Sequence, residues 1–197
     1  TDAAPAPTQE ASDVISIYSD SYTDNARDGF NFYGAAAFEE VQLNGNGVLK
    51  YTTASVDGGS FQVIELGGAN QIDAAAAGMT NFRFDIWFPN EVVASSAFLM
   101  KLVDIGAATS EALINVNASS NPAIAQGSWL QFDIPFSELQ SNGLAASSNI
   151  QQVVIDLATS GEVFVDNIYF YKPAGTGGGG GAPTSPAPAP TELAADV

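Results

Sequence analysis

Short stretches in which apolar and polar residues alternate recur along the middle of this chain, and they constrain its fold more than any other feature. In residues 81–88 one face carries Phe82, Phe84, Ile86 and Phe88. The opposite face carries Arg83, Asp85 and Trp87. A period of two residues is typical of a β-strand with one buried face. Helical periodicity is weak, apart from one short turn expected at residues 137–139.

Further apolar segments of strand length lie between turn residues such as those at 44–47. The predicted strands are residues 14–18, 48–51, 61–66, 81–88, 98–105, 129–134, 151–157 and 163–171. Hydrophobic residues make up 46% of the chain, which is enough for a packed core. Many short strands with little helix between them predict an all-β fold, an antiparallel β-sandwich of the jelly-roll, galactose-binding-like kind.

Segments rich in Pro, Ala and Gly flank this body and are predicted to be linkers. Residues 1–12 precede the predicted domain at 13–172, and residues 173–192 follow it. Residues 188–197 repeat residues 5–14 with seven of ten positions identical, at a constant offset of 183. Chance similarity between two linkers explains the Pro and Ala matches, but not the trailing Asp-Val pair. The repeat favours a tandem array in which residues 193–197 begin the next copy.

Composition excludes several classes of function. The chain has 22 acidic and 5 basic residues, a net charge of −17, so we expect nucleic acid and anionic membrane surfaces to repel it. It has no Cys or His, which removes thiolate and histidine-based catalysis and the common zinc sites. No apolar run predicts membrane insertion. Paired carboxylates hydrolyse glycosides, but no Glu-x-Asp-x-x-Glu strand occurs, so no enzyme is predicted.

Six ordered fragments carry a family resemblance: residues 13–24, 48–51, 84–87, 127–129, 133–135 and 165–171. They resemble carbohydrate-binding-module-like domains of secreted Bacteroidetes proteins, which are often found beside laminarinase-type glycoside hydrolases. The resemblance implies an extracellular bacterial β-jelly-roll that holds a polysaccharide and performs no chemistry. After Asp24 the chain departs from the family pattern, because Phe30, Phe32 and Tyr33 stand where a tryptophan-bearing loop is expected.

Aromatic and polar side chains on solvent-facing strand surfaces are the candidate sugar-binding residues. Aromatic rings stack on the CH face of a sugar, while polar neighbours bind its hydroxyls. The candidates are Arg83, Asp85, Trp87, Trp129, Lys101, Phe32 and Tyr33. Alternatively, Trp87 and Trp129 are core or edge residues of the sandwich. The acidic chain favours a neutral, β-glucan-like polysaccharide over a polyanion.

Acidic residues near the first and last predicted strands are candidate calcium ligands. Asp20 and Asp24 lie in a polar loop after the first strand, and Asp166 lies in the last. Calcium takes six to eight oxygen ligands, commonly carboxylates mixed with backbone carbonyls. The resemblance implies Asp166 and Asp20 as ligands of a structural ion, with Asp24 as a further candidate. The alternative is a solvated acidic turn.

Two functions remain open. The first is an extracellular polysaccharide-binding module repeated to gain avidity. The second is a structural repeat of a bacterial surface adhesin, stalk or filament that binds no glycan. In both, neighbouring copies of the same repeat are expected partners.

Overall fold

Eleven strands and one short α-helix make up the computed structural model, which describes residues 2–33, 36–53, 61–89, 98–157 and 161–174. The strands are β1 (Val14–Tyr18), β2 (Gly29–Tyr33), β3 (Ala36–Leu43), β4 (Asn46–Thr53), β5 (Phe61–Glu65), β6 (Asn81–Trp87), β7 (Phe98–Ile105), β8 (Thr109–Val116), β9 (Trp129–Pro135), β10 (Ile150–Leu157) and β11 (Gly161–Tyr171). Helix α1 spans Phe136–Ser141, and 3-10 turns lie at Ala11–Asp13 and Gly68–Asn70. In this described part, no helix is long and apolar enough to span a bilayer.

The strands form two antiparallel sheets, which confirms the predicted fold class. Sheet A has the order β3-β4-β11-β6-β9, and sheet B has the order β2-β5-β10-β7-β8. Strand β11 lies at the centre of sheet A. One edge of β11 pairs with β6. The other edge pairs with β4 along residues 161–165 and with β1 along residues 168–171. The first and last strands are therefore neighbours.

The core lies between the inner faces of the two sheets. The predicted apolar face of β6 is part of it, since Phe82, Phe84 and Ile86 are fully buried. Phe84 of β6 stacks on Phe132 of β9, with 5.0 Å between the ring centroids. Phe98 from sheet B also contacts Phe84, at 6.1 Å. Large aromatic side chains dominate core energetics, so this cluster fixes which face of each strand turns inward.

The segment at residues 2–10, here called the N-terminal strap, crosses the outer face of sheet A and is held there. Its hydrogen-bonding partners in the body are Tyr22, Asn46, Trp129, Asn167 and Tyr169. Composition alone predicts a linker for this part of the chain. The segment is held on sheet A because an extended, proline-rich backbone leaves its carbonyl groups free, and sheet A presents donors to them. The structure describes residues 173 and 174 of the predicted linker at 173–192. The rest of that linker and the predicted start of a further copy at 193–197 lie outside the described residues.

Candidate functional site

The outer face of sheet B contains a cleft of about 590 Å³, here called the sheet B cleft. It is lined by Tyr33, Phe61, Val63, Leu99, Lys101, Val103, Ile105, Thr109, Glu111, Gln152, Val154 and Asp156. These residues come from the five strands β2, β5, β10, β7 and β8. Because successive side chains of a strand point to opposite faces, each strand contributes every second residue to this surface.

Two aromatic rings lie at one end of the sheet B cleft. Strand register places Tyr33 directly opposite Phe61. Their rings stack with centroids 4.6 Å apart and planes inclined by 20°. Tyr33 is 45% exposed, more than any other aromatic side chain in the part of the chain that the structure describes. The pair therefore offers an apolar surface that is open to solvent.

Polar groups follow from this aromatic pair across the sheet. Asp156 is the register partner of Phe61, and Lys101 lies one row further along. The Nζ atom of Lys101 lies 3.0 Å from Oε1 of Glu111. Nε2 of Gln152 donates to Glu65 at 3.1 Å. Exposed ion pairs and side-chain hydrogen bonds of this kind contribute little to stability, so these groups can rearrange around a hydroxylated ligand.

The structure separates the sugar-binding residues predicted from sequence into two groups. Tyr33 and Lys101 line the sheet B cleft. The other group lies on the outer face of sheet A, and consists of Arg83, Asp85, Trp87 and Trp129. Phe32 lies in β2, and its side chain is outside the described part of the structure. Lys101 and Trp129 do not share a surface, because β7 and β9 belong to different sheets.

On sheet A, the predicted residues are partly occupied by other interactions. Asp85 is fully buried. Its Oδ2 atom accepts a hydrogen bond of 2.8 Å from Asn167, and Arg83 Nε lies 3.4 Å from its Oδ1 atom. Burial raises the pKa of Asp85, although the nearby Arg83 guanidinium partly offsets this. Asp85 is therefore unavailable to a sugar on this surface.

Trp87 and Trp129 are opposite each other on β6 and β9 and are both half-buried. Their ring centroids are 6.5 Å apart, and Trp87 also contacts Phe164 at 5.0 Å. The indole Nε1 of Trp129 donates to the carbonyl oxygen of Asp2 in the N-terminal strap, at 3.0 Å. This arrangement is closer to the core-or-edge alternative than to an open platform.

Sequence reasoning missed most of the sheet B cleft. Phe61, Gln152 and Asp156 occur in strands that the alternation had identified, so their outward orientation was available from the sequence. The order of those strands in the sheet was not predicted from the sequence. Only the pairing of β5 and β7 with β10 brings these side chains onto one surface.

A second, smaller cleft of about 260 Å³ lies beneath the N-terminal strap and brings together two predicted calcium ligands, Asp20 and Asp166. Among the described residues, Oδ2 of Asp166 is buried without a hydrogen-bond partner. Burial raises the pKa of Asp166 to about 7, hydrogen bonding from Asn167 N and the nearby Asn46 amide partly offset the rise, and the charges of Asp85 and Asp20 add to it. Oδ2 of Asp20 accepts a 2.5 Å bond from Gly47 N. Two carboxylates, one with a free buried oxygen, fit a hard cation that prefers oxygen ligands.

Asp24, the third predicted ligand, is engaged elsewhere. Its Oδ1 atom accepts hydrogen bonds from Ser16 Oγ (2.7 Å) and Ser19 N (3.0 Å). Its Oδ2 atom pairs with Arg27 at 3.1 Å. Within the described ranges, no group of three or more acidic side chains converges as a metal cluster. An ion held by Asp20 and Asp166 would therefore need backbone or amide oxygens as well.

No protein-family model and no curated protein matches this chain, but solved structures do. A family 30 carbohydrate-binding module superposes with a TM-score of 0.54 and 15% identity, over 80% of this chain and 87% of that one. The family 30 module of a cellulosomal cellulase of Clostridium thermocellum gives 0.52 and 14%, over 75% and 84%. An exo-β-agarase gives 0.55 and 16%, over 81% of this chain and 25% of that enzyme. At these identities the similarity shows the fold, which is the β-sandwich of carbohydrate-binding modules.

Proposed function

We propose that this domain is a non-catalytic polysaccharide-binding module and that the glycan lies in the sheet B cleft. The observation that carries the proposal is the exposed Tyr33–Phe61 stack at the end of an open cleft with polar groups along it. Aromatic faces receive the CH face of a sugar ring, and Asp156 and Gln152 are placed to bind hydroxyl groups. The shared fold with carbohydrate-binding modules supports this function.

The charge of the cleft favours a neutral glycan. Among the described lining residues, Lys101 is the only cation, and its charge is paired with Glu111. Asp156 adds a further negative group, and the whole chain carries −17. A sulfated or uronic polymer would meet net repulsion in this cleft, whereas a neutral β-glucan or agarose-like chain would not.

This function places the protein where polysaccharides are found. We infer an extracellular or cell-surface location in a bacterium, within a longer secreted protein. The sequence resemblance to Bacteroidetes modules that stand beside laminarinase-type hydrolases supports that context. The domain would hold the polymer near a partner module, while catalysis would belong to the partner.

The test is electrophoresis in native gels that contain a soluble neutral β-glucan, xylan or agarose. Tyr33→Ala and Phe61→Ala are expected to weaken binding about thirtyfold, because an aromatic anchor residue is worth roughly 2 kcal/mol. Trp87→Ala is the matched control, since it removes an aromatic residue of comparable size from the other sheet. It should leave retardation unchanged, whereas the sequence alone predicts that it abolishes binding.

Two results would contradict the proposal. Wild-type protein that migrates equally in all gels and in glycan-free gels would remove the glycan-binding function. Retardation lost in Trp87→Ala and kept in Tyr33→Ala would move the site to sheet A. Thermal unfolding of each variant shows whether a lost interaction reflects the site or the fold.

We also propose that Asp20 and Asp166 hold a structural calcium ion beneath the N-terminal strap. The buried, unpartnered oxygen of Asp166 supports this, because a bound cation would compensate its cost of burial. When present, the ion would tie the loop after β1 to β11.

A second candidate function is that of a structural repeat in a surface adhesin, stalk or filament. The observation that favours it is the repetition of residues 5–14 at 188–197. This role does not require the sheet B cleft, so a protein that binds no glycan in the gel test but is one of many copies in its parent chain would support it.

A further inference from the structure

The outer face of sheet A recognises the N-terminal strap mainly through the strap's backbone. Nδ2 of Asn167 donates to the Pro5 carbonyl (3.1 Å), and the Tyr22 hydroxyl donates to the Gln9 carbonyl (2.8 Å). Trp129 donates to a further strap carbonyl, that of Asp2 (3.0 Å). One further hydrogen bond involves a strap side chain: the Tyr169 hydroxyl donates to Gln9 Oε1 at 2.7 Å. Any proline-rich segment with an acceptor at the position of Gln9 meets these requirements.

The side chains of sheet A that bind the strap are fixed by packing and hydrogen bonds within the domain. Asn167 is only 2% exposed and has a positive φ of 51°, which aims its side chain out of the regular strand. Two hydrogen bonds fix the side-chain amide of Asn167. Ser19 Oγ donates to its Oδ1 atom (2.8 Å), and its Nδ2 atom donates to Asp85 (2.8 Å). Tyr22 packs edge-on against Tyr169, with 5.4 Å between the centroids. The donors therefore hold fixed positions and face outward.

The chain contains a second segment that fits this surface. Residues 188–197 repeat residues 5–14, and Ala187 also matches Ala4. The copy keeps both prolines and the threonine that follows them. Every strap backbone group used by Asn167, Tyr22 and Asn46 is present in the copy as well.

The three differences between the copies are compatible with the same contacts. Gln9 is replaced by Glu192, which still offers an oxygen to the Tyr169 hydroxyl and is a stronger acceptor because it is charged. The other two differences, Leu193 and Ala195, correspond to Glu10 and Ser12, which are exposed. Two of the three differences thus fall where the strap faces solvent, and the third keeps an acceptor oxygen for the Tyr169 hydroxyl.

We propose that the strap surface of sheet A is an interaction site for a second copy of this chain, whose residues 187–193 dock there in place of residues 4–10. Residues 187–193 of one copy displace the strap of another copy, so the contact is head to tail. Such a heterologous contact is not self-complementary, so it joins successive copies into a row or a ring. This site is on the sheet opposite the proposed glycan cleft, and neither proposal depends on the other.

The test mixes two full-length chains and measures paramagnetic broadening between them. The chain has no cysteine, so Leu193→Cys places a single spin label at a position equivalent to the exposed Glu10. The second chain is wild type and ¹⁵N-labelled. The amides of Asn167 and Tyr169 are expected to broaden, while those of Tyr33 and Lys101 on sheet B are not. A label at Thr176→Cys on the same tail is the control and should produce no such selectivity.

Two substitutions shift the competition in opposite directions. Gln9→Ala in the ¹⁵N chain weakens its own strap and should increase docking about fivefold, the value of one neutral hydrogen bond. Glu192→Ala in the spin-labelled chain should reduce docking by at least the same factor. Broadening that is absent, that responds to neither substitution, or that appears only when the label and ¹⁵N are on the same molecule would overturn the proposal.

Discussion

At the scale of single residues, Gln62 is the clearest conflict between sequence and fold. It lies in β5, points into the core and is fully buried. Within the described part of the chain, neither its Nε2 nor its Oε1 atom has a hydrogen-bond partner. A buried amide without partners loses its hydration and gains nothing in return.

We expect Gln62→Leu to raise the free energy of unfolding by about 1–3 kcal/mol, because it removes an unsatisfied polar group from the core. Urea unfolding measures this change as a higher midpoint at an unchanged slope. Gln152→Leu is the matched control, since Gln152 faces the sheet B cleft and bonds to Glu65. The control should not be stabilised. A destabilised Gln62→Leu protein would show that the amide is paired in solution.

Residue types in the candidate site were easier to predict than their grouping. Tyr33 and Lys101 were identified from the sequence, and both line the sheet B cleft. Trp87 was identified with equal reason, yet it lies on the other sheet. Alternation fixes which side of its own strand a residue occupies. It does not reveal which strands are neighbours, because that depends on contacts between residues far apart in sequence.

At the scale of elements, the strands that the sequence analysis missed have one property in common. All eight predicted strands are present, but β2, β3 and β8 were not predicted. Each of these three lies at the edge of its sheet. An edge strand has a single partner and more exposed surface, so its apolar signal is often weaker, although the edge strand β9 alternates clearly and was predicted. In β8, the exposed Leu113 interrupts the expected polar face.

The N-terminal strap combines a composition typical of a linker with hydrogen bonds that hold it on sheet A. Five hydrogen bonds hold nine residues, and the conformational entropy lost on ordering those residues opposes their contribution to stability. Prolines lower that cost because they are extended before docking. The strap should therefore open locally while the two sheets stay folded.

Hydrogen exchange tests this local opening. The Ala4 amide, which donates to Asn46, should exchange far faster than the core amides of β11. Tyr169→Phe removes the bond to Gln9 and should accelerate Ala4 exchange about fivefold. Tyr171→Phe is the control, since its hydroxyl bonds to Asp133 and not to the strap. If Ala4 exchanged only as the whole domain unfolds, the strap would be an integral part of the fold.

At the scale of the whole molecule, the net charge of −17 makes the folded state sensitive to ions. Any salt screens the repulsion among carboxylates, so stabilisation by a cation does not by itself reveal a site. A specific calcium ion would add a saturable increment that depends on its ligands.

We expect calcium chloride to raise the unfolding temperature more than magnesium or sodium chloride at equal ionic strength. Asp166→Asn should abolish this calcium-specific increment, because it removes the buried carboxylate. Glu39→Gln, which removes one exposed charge from β3, is the control and should keep it. Differential scanning calorimetry provides the measurement. Equal effects of all three salts on the wild-type protein would show that screening alone operates.

The position of β1 beside the end of β11 also determines how the body responds to force. Val14 lies opposite Tyr171, and Lys172 N donates to Asp13 O at 3.0 Å, so the polypeptide enters and leaves the body at adjacent points. Tension on these two points acts across the β1–β11 ladder and breaks its hydrogen bonds one after another, as in unzipping. A stretched row of such domains would yield at low load, one domain at a time, and so act as an extensible tether.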